Sequence, residues 1–196
     1  MRADFLLIQD WIAPHSRVLD LGCGNGAFLA YLKQTKHIHD CGLEIDAANI
    51  EKCLDAGVNV IEQNMEQGLG NFESQSFDTV VLAQTLQALQ RPDMILDEML
   101  RVGKNCILTF PNFAYWRHRV YLARLGRMPK SELLPYEWYD TPNVHLCTIH
   151  DFDALCREKR IRVLNRSVVD EQQRSKVLMR ALPNLFGINA IYHITR

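Results

Sequence analysis

The chain has 196 residues, 47% of them hydrophobic and 23% charged, enough to bury one sizeable core. A formal net charge of −1 gives no overall field to draw in nucleic acid or an anionic membrane, so neither is expected as a partner. No apolar run approaches the roughly 18 residues of a spanning helix, and the scattered cysteines (Cys23, Cys41, Cys53, Cys106, Cys147, Cys156) form no CxxC pair, which points to a reducing cytoplasm.

MRADFLLIQDWIAP carries acids at Asp4 and Asp10 and lacks a positive flank and a cleavage site. It reads as a helix of the mature protein over residues 2 to 12, with Phe5, Ile8 and Trp11 or Ile12 on one face. RVLDL (17–21) is a short apolar run that fits a buried parallel strand. A helix follows over 27–34, a strand over 40–46, and a second helix over 47–56 that Gly57 stops. VNVIEQN (58–64) and FDTVVLAQ (77–84) read as strands three and four. Pro92 opens a crossover helix that ends at Val102, and NCILTFPN (105–112) is strand five. Strands alternating with helices of this length indicate βαβ units and a parallel sheet.

The pattern changes after Pro111. Residues 113–147 hold many aromatic and basic residues and no clear strand. Connections in compact domains usually run about 2–6 residues, so this segment reads as an inserted cap with a helix in FAYWRHRVYLARLG. IHDFDALCREKRI resumes a helical pattern with Asp151 as its cap, and IRVLNRSVVD and GINAIYHITR give two last strands. The expected layout is a single domain: a cofactor-binding half over 1–112, the cap over 113–147, and a C-terminal helix and strands over 148–196.

RVLDLGCGNGAFLAYL (17–32) carries the first chemical signal. A strand followed by Gly22, Gly24 and Gly26 and then a helix start is a cradle for a nucleotide or related cofactor, with free N–H groups and the helix dipole expected at its tip. The ligand then lies at the carboxyl ends of the strands. Glu44 ends the second strand, where a carboxylate can accept two hydrogen bonds from a ribose diol. This much also fits NAD, since Gly22, Gly24 and Ala27 satisfy GxGxxA. Two residues tilt the balance. Asp20 lies inside an apolar strand end, where a buried acid needs a partner such as a cationic amine. Asn64 ends the third strand, where its amide can read an adenine edge.

VLDLGCGNG resembles the first motif of class I S-adenosylmethionine-dependent methyltransferases. GLEID, with Glu44 and Ile45, resembles their ribose-binding motif. EQNME, with Asn64 and Met65, resembles the adenine-contact region, although the family usually has Asp where this chain has Asn64. FDTVVLAQTLQAL and the Pro92 helix resemble the region that closes over the methionine part. The resemblance implies an α/β, Rossmann-like class I methyltransferase fold: a seven-stranded, mostly parallel sheet with a reversed last strand and an inserted helical or loop cap. It implies S-adenosylmethionine or S-adenosylhomocysteine as ligand, held by Asp20, Gly22, Gly24, Gly26, Glu44, Ile45, Asn64 and Met65. Many relatives carry a His in a segment resembling LEHL; here LQAL (86–89) puts Ala88 at that position, and alanine takes no proton.

GRMPKSELLPYEWYDTPNVHLCTIHDF (126–152), with LAQTLQAL and TFPNFAYWRHR, is similar to the methionine-biosynthesis protein W family (MetW) nearly end to end. That resemblance implies a methyltransferase-like protein of methionine synthesis that works beside, or regulates, homoserine O-acyltransferase. The rival readings are an active methyltransferase on a small metabolite and, from another class, an NAD-dependent oxidoreductase. Asp140 and His145 are the best-placed polar residues if an acceptor is deprotonated in the cap. His145, Cys147 and His150 lack a second cluster, so no metal site is expected. Arg117, Arg119, Arg124, Arg127 and Lys130, interleaved with Tyr115, Trp116 and Tyr121, have a look of RNA binding. The near-neutral chain and the acids Glu132, Glu137 and Asp140 favour a solvated face instead. Tyr136, Trp138 and Tyr139 suit either a lid folded over the cofactor or an anchor for another protein.

Overall fold

A computed structural model describes residues 3–131, 134–170, 179 and 181–196. Arg2, at the start of the expected first helix, and Glu132 in the cap lie outside the described residues.

The N-terminal helix α1 (Ala3–Ile8) runs into a 3-10 turn at Gln9–Trp11. Five strands and three crossover helices follow in sequence order: β1 (Arg17–Leu21), α2 (Ala27–Lys36), β2 (His39–Glu44), α3 (Ala47–Asp55), β3 (Val60–Glu62), β4 (Phe77–Ala83), α4 (Pro92–Val102) and β5 (Gly103–Pro111). Then come α5 (Trp116–Leu125), α6 (Ile149–Glu158), β6 (Arg162–Val169), a short helix at Pro183–Phe186, and β7 (Asn189–Thr195). The strand order is β3-β2-β1-β4-β5-β7-β6. Strands β1 to β5 pair in parallel, while β7 is antiparallel to both of its neighbours. The parallel sheet, its crossover helices and the reversed last strand agree with the sequence reading. β3 is shorter than expected, because the chain bends into a 3-10 turn at Met65–Gln67 that Asn64 caps.

Both faces of the sheet are covered, which is why the strands read as continuous apolar runs. Alternation sorts the side chains. Leu19, Leu21, Val80, Leu82, Leu108 and Tyr192 point to the face covered by α4 and α6. Val18, Val81, Ile107 and Ile191 point to the face covered by α1, α2 and α3. On the first face Phe110, Phe152 and Tyr192 form a ring cluster with centroids 4.6 to 5.8 Å apart. The Tyr192 hydroxyl donates to Asp153 at 2.8 Å.

One expectation needs correction. The N-cap of α6 is Thr148, not Asp151. The Thr148 hydroxyl accepts from the Asp151 N–H at 3.2 Å, and the Asp151 carboxylate accepts from the Thr148 N–H at 3.1 Å. Asp151 therefore closes a reciprocal capping box from the third helical position.

Asn112 ties the second half of the chain together. It follows β5 directly and is fully buried. Its Nδ2 donates to the carbonyls of Asn184 and Gly187 at 3.1 and 2.8 Å. Its Oδ1 accepts from the N–H groups of Ala114 and Ile149 at 3.2 and 3.4 Å. One amide thus fixes the end of the parallel sheet, the start of the 113–147 segment, the start of α6 and the approach to β7. Asn112→Ala should lower unfolding stability by about 2–4 kcal/mol, since buried backbone groups lose their partners. In thermal denaturation that is a drop of roughly 5–15 °C; an unchanged midpoint would refute the role given to this residue.

Candidate functional site

β1 and β4 lie side by side, and the crossovers leave them in opposite directions, so a crevice opens at their carboxyl ends. The loop after β1 forms its floor. Gly22, Gly24 and Gly26 all have positive φ, at 73°, 56° and 71°. The space beside each differs. A Cβ on Gly26 would lie 2.9 Å from Cys53 Sγ and 3.3 Å from the Cys53 backbone, so α3 packs directly on the loop. A Cβ on Gly24 would meet nothing within 4 Å, which leaves that side open.

The expectation of free N–H groups at the loop tip is met only in part, since most of the loop amides already donate within the protein. The amides of Gly22 and Cys23 both donate to the Leu43 carbonyl, at 2.9 and 3.0 Å. Gly24 N–H donates to Glu44 Oε2 at 2.8 Å, Gly26 N–H to the Cys23 carbonyl, and Ala27 N–H to Asn25 Oδ1. A sequence reveals that amides are present in a turn, and not which of them the fold has already used.

Glu44 sits where the sequence placed it, and it does more than face the crevice. Its Oε1 accepts from the N–H groups of Ile45 and Asp46 at 2.8 and 3.0 Å, while Oε2 holds Gly24. Oε1 has both lone pairs engaged, and Oε2 keeps one for an external donor. Ile45, next to it, is 63% exposed, an apolar side chain in water at the rim. Asp20 is 4% exposed at the end of β1, in register with Gly42 and Val81. Burial raises the Cys23 thiol pKa, and the negative charges of Asp20 and Glu44 add to the rise. Burial likewise raises the Cys53 thiol, with a smaller rise from the charges of Glu44 and Asp20. The crevice floor is therefore electronegative.

Asn64 and Met65 stand at the crevice side of β3. The Asn64 Oδ1 accepts from Glu66 N–H at 2.9 Å, which leaves its NH2 group for other uses. Met65 is buried, with its Cε 3.3 Å from where a Gly22 Cβ would stand, so it packs against the loop rather than lying open beside it. Glu66 accepts from Gln90 N–H and so links the two sides of the crevice.

The segment after β4 contains features that sequence reasoning missed. Gln84 adopts φ 59° and bonds Thr109 Oγ1 through both its N–H and Nε2, at 3.0 and 3.2 Å. Gln87 is 8% exposed, and its Nε2 donates to the Gln84 carbonyl at 3.0 Å. The Gln87 Oε1 is buried with no hydrogen-bond partner among the described residues. No ionisable group belongs to this amide cluster. Single glutamines leave no periodic or motif signal, and only LQAL as a whole marked the place.

The two cap candidates are not brought together. His145 N–H donates to the Gln87 carbonyl at 3.0 Å, and its Nε2 lies 3.2 Å from the Gln90 carbonyl. A carbonyl only accepts, so Nε2 carries the proton. Asp140 is exposed, and its N–H donates to the Glu137 carbonyl at 3.1 Å. Tyr136, Trp138 and Tyr139 are all exposed, so the arrangement in which a lid buries them is not the one adopted. A cavity of about 780 Å3 lies between α5 and this loop, lined by Tyr121, Arg127, Leu134, Trp138 and Leu146 among others. A smaller recess shares Leu134 and Leu146 with it and reaches Gln87 and Pro111.

The family model described as "Methionine biosynthesis protein MetW" matches residues 2–194. The bifunctional methionine biosynthesis protein MetXA/MetW of Rhodopirellula baltica is 34% identical over 194 residues, covering 94% of this chain and 31% of that protein. A carboxy-S-adenosyl-L-methionine synthase of Vibrio vulnificus is 36% identical over 112 residues, covering 50% of this chain and 43% of its own. The chain thus spans less than half the length of either relative. An S-adenosylmethionine-dependent methyltransferase of Mesorhizobium loti superposes with a TM-score of 0.72 at 13% identity, covering 100% of this chain and 98% of that one. One from Archaeoglobus fulgidus gives 0.70 at 16%, covering 99% and 92%. At such identities the likeness is one of fold, and that fold is the class I methyltransferase α/β fold with a seven-stranded mixed sheet.

The glycines supply a stability test of the loop geometry. Gly24→Ala should cost about 1–2 kcal/mol, the left-handed penalty alone. Gly26→Ala adds overpacking against Cys53, for a total of about 2–5 kcal/mol. Urea denaturation should rank the two variants in that order, and equal losses would contradict the packing described.

Proposed function

The chain belongs to the MetW family of methionine biosynthesis proteins, and from that premise we propose that it binds S-adenosylmethionine or S-adenosylhomocysteine and acts with homoserine O-acyltransferase. The observation that carries the ligand is the charge beneath the glycine loop together with the engagement of most of its amides. Its amides at 22, 23, 24, 26 and 27 already donate within the protein, and Asp20 and Glu44 make the floor negative. A pyrophosphate needs bare N–H groups and positive potential, so a dinucleotide fits poorly. A sulfonium and an ammonium group fit well, because both are cations. In this reading Asp20 orients the amino acid part and Gly22, Gly24 and Gly26 shape the floor. Glu44 accepts a ribose hydroxyl through Oε2, Ile45 and Met65 line the adenine, and Asn64 uses its NH2 group on the base edge. Bound S-adenosylmethionine supplies an electrophilic methyl group.

The partnership rests on the Rhodopirellula baltica protein, one polypeptide named for both MetXA and MetW. In our reading MetXA is the homoserine O-acyltransferase. The amide cluster at Gln84 and Gln87, with Ala88 beside it, favours a ligand-responsive role over general base chemistry. A ligand regulates only through different affinity for two states, and the hydrogen bonds from Val144 and His145 to the Gln87 carbonyl give the 113–147 segment a direct hold on the crevice wall.

Two measurements test this. S-adenosylmethionine at 100 times its dissociation constant should add about 2.7 kcal/mol of stability, or roughly 5–10 °C in the melting midpoint. NAD should add none, and Glu44→Ala should abolish the shift; stabilisation by NAD alone would overturn the ligand assignment. The activity of the acyltransferase in complex with this chain should change on adding S-adenosylmethionine or S-adenosylhomocysteine. An activity indifferent to both would sink the regulatory reading.

A further inference from the structure

Helix α5 is left almost entirely uncovered. Of its ten residues only His118 is buried. Helices this short are marginal on their own, and packing normally supplies their stability. Here Trp116, Val120 and Ala123 form an outward row at helical spacing, and Leu125 is 58% exposed. The loop that follows adds Trp138 and Tyr139, each 73% exposed and packed edge to face at 5.6 Å. Lys130 ties that loop to the trailing end of α5 through Glu137 at 2.7 Å. Of the 17 exposed large hydrophobics among the described residues, ten lie between Trp116 and Leu146. The rings in this set are the residue types that anchor protein interfaces.

The helix side of this face is basic, while the loop side carries Glu137, paired with Lys130, and the exposed Asp140. From Phe113 to Ser131 the chain carries five cations (Arg117, Arg119, Arg124, Arg127, Lys130) and no acid, although the whole chain has a net charge of −1. Arg124 and Arg127 are exposed and bond to none of the described residues. The matching surface is therefore apolar at its centre and acidic opposite the helix. A second copy of this chain is a poor match, since a two-fold contact would set each copy's cations against the other's.

We propose that the face made by α5 and the Tyr136–Tyr139 loop is the docking surface for the homoserine O-acyltransferase, which meets it with an apolar patch flanked by carboxylates. The proposal rests on the partnership proposed above. The Rhodopirellula baltica relative favours this occupant, because its MetW-like part, 31% of the whole, shares one polypeptide with MetXA and keeps the two at high effective concentration. The site of docking also explains how the crevice is felt by the partner. The same loop runs on to Val144 and His145, whose N–H groups bind the Gln87 carbonyl at 2.9 and 3.0 Å.

The test is the equilibrium affinity of the full chain for the acyltransferase of the same cell, measured by interferometry. Trp138→Ala with Tyr139→Ala should weaken binding at least about 30-fold, the loss of one hot-spot residue. Arg124→Glu with Arg127→Glu should slow association and flatten its salt dependence. Both double variants should keep the wild-type melting midpoint, since the altered side chains are exposed. Wild-type affinity in both variants would overturn the surface and leave the partnership standing. A wild-type chain that does not bind the acyltransferase would overturn the partnership, and this proposal with it. A wild-type dimer that the variants dissociate would assign the face to a second copy instead. Binding to phosphatidylglycerol vesicles that the variants lose would assign it to a membrane, and either result overturns the proposal.

Discussion

Glu44 accepts three backbone hydrogen bonds that belong to two strand-to-helix turns: Gly24 in the loop after β1, and Ile45 and Asp46 in the turn after β2. The crevice depends on this carboxylate. It fixes the distance between the glycine loop and the neighbouring turn, and it keeps Gly24 in its left-handed conformation with one side open. Asp46 then caps α3 by accepting from Asn49 N–H at 2.9 Å, and α3 sets Cys53 against Gly26. A negative charge in a turn that also anchors a helix start is favourable on both counts, since the helix dipole points its positive end there. The price is a floor with few amides left for an anion.

Asn112 plays the corresponding part for the second half of the molecule. Among the described residues, the 113–147 segment has one buried helical residue and one isolated bridge, Ser131 to Leu134. It does not hold itself in place by a core of its own. Its ends are fixed by Asn112 and by the bond from Phe113 N–H to the Cys147 carbonyl at 3.0 Å. Its middle is hooked to Gln87. These anchors leave the outward face uncommitted, and they attach the segment to the crevice wall rather than to the bulk of the sheet.

The sheet was legible in the sequence because both its faces are buried. Apolar runs such as RVLDL and FDTVVLA leave no choice of register, and glycines at 57 and 103 mark helix ends. The reversed β7 was legible only through resemblance, since no local signal in NAIYHIT distinguishes an antiparallel strand. The glycines lie in the expected turn after β1, but most of its amides are already engaged. Acceptors come from β2, which lies 20 residues away in sequence, so their use of the loop amides is a tertiary fact. The α6 cap was misplaced although the Thr148–Asp151 pattern was present; an acid at the third position closes the box, and the hydroxyl opens the helix. Asn112, Gln84 and Gln87 gave no warning at all, because an isolated amide has no period.

Burial separates the two halves in a way that composition hides. Beside the sheet, two buried polar side chains are well engaged: Asp40 accepts from Asn59 N–H at 2.7 Å and pairs with Lys33 at 2.9 Å, and Asn112 meets its four. The 113–147 segment inverts that order, with indole and phenol rings in water and the Arg124 and Arg127 guanidinium groups bonded to none of the described residues. Apolar rings in solvent are unfavourable by about 25 cal/mol for each Å2 left uncovered, and a monomer under no other demand would turn them inward. The recess beside Gln87 and the cavity next to it are lined by Leu134 and Leu146, so apolar surface is available for such closure. That Trp138 and Tyr139 stay outside, on a loop braced by the Lys130–Glu137 ion pair, identifies the outward face as the one that the fold is arranged to present.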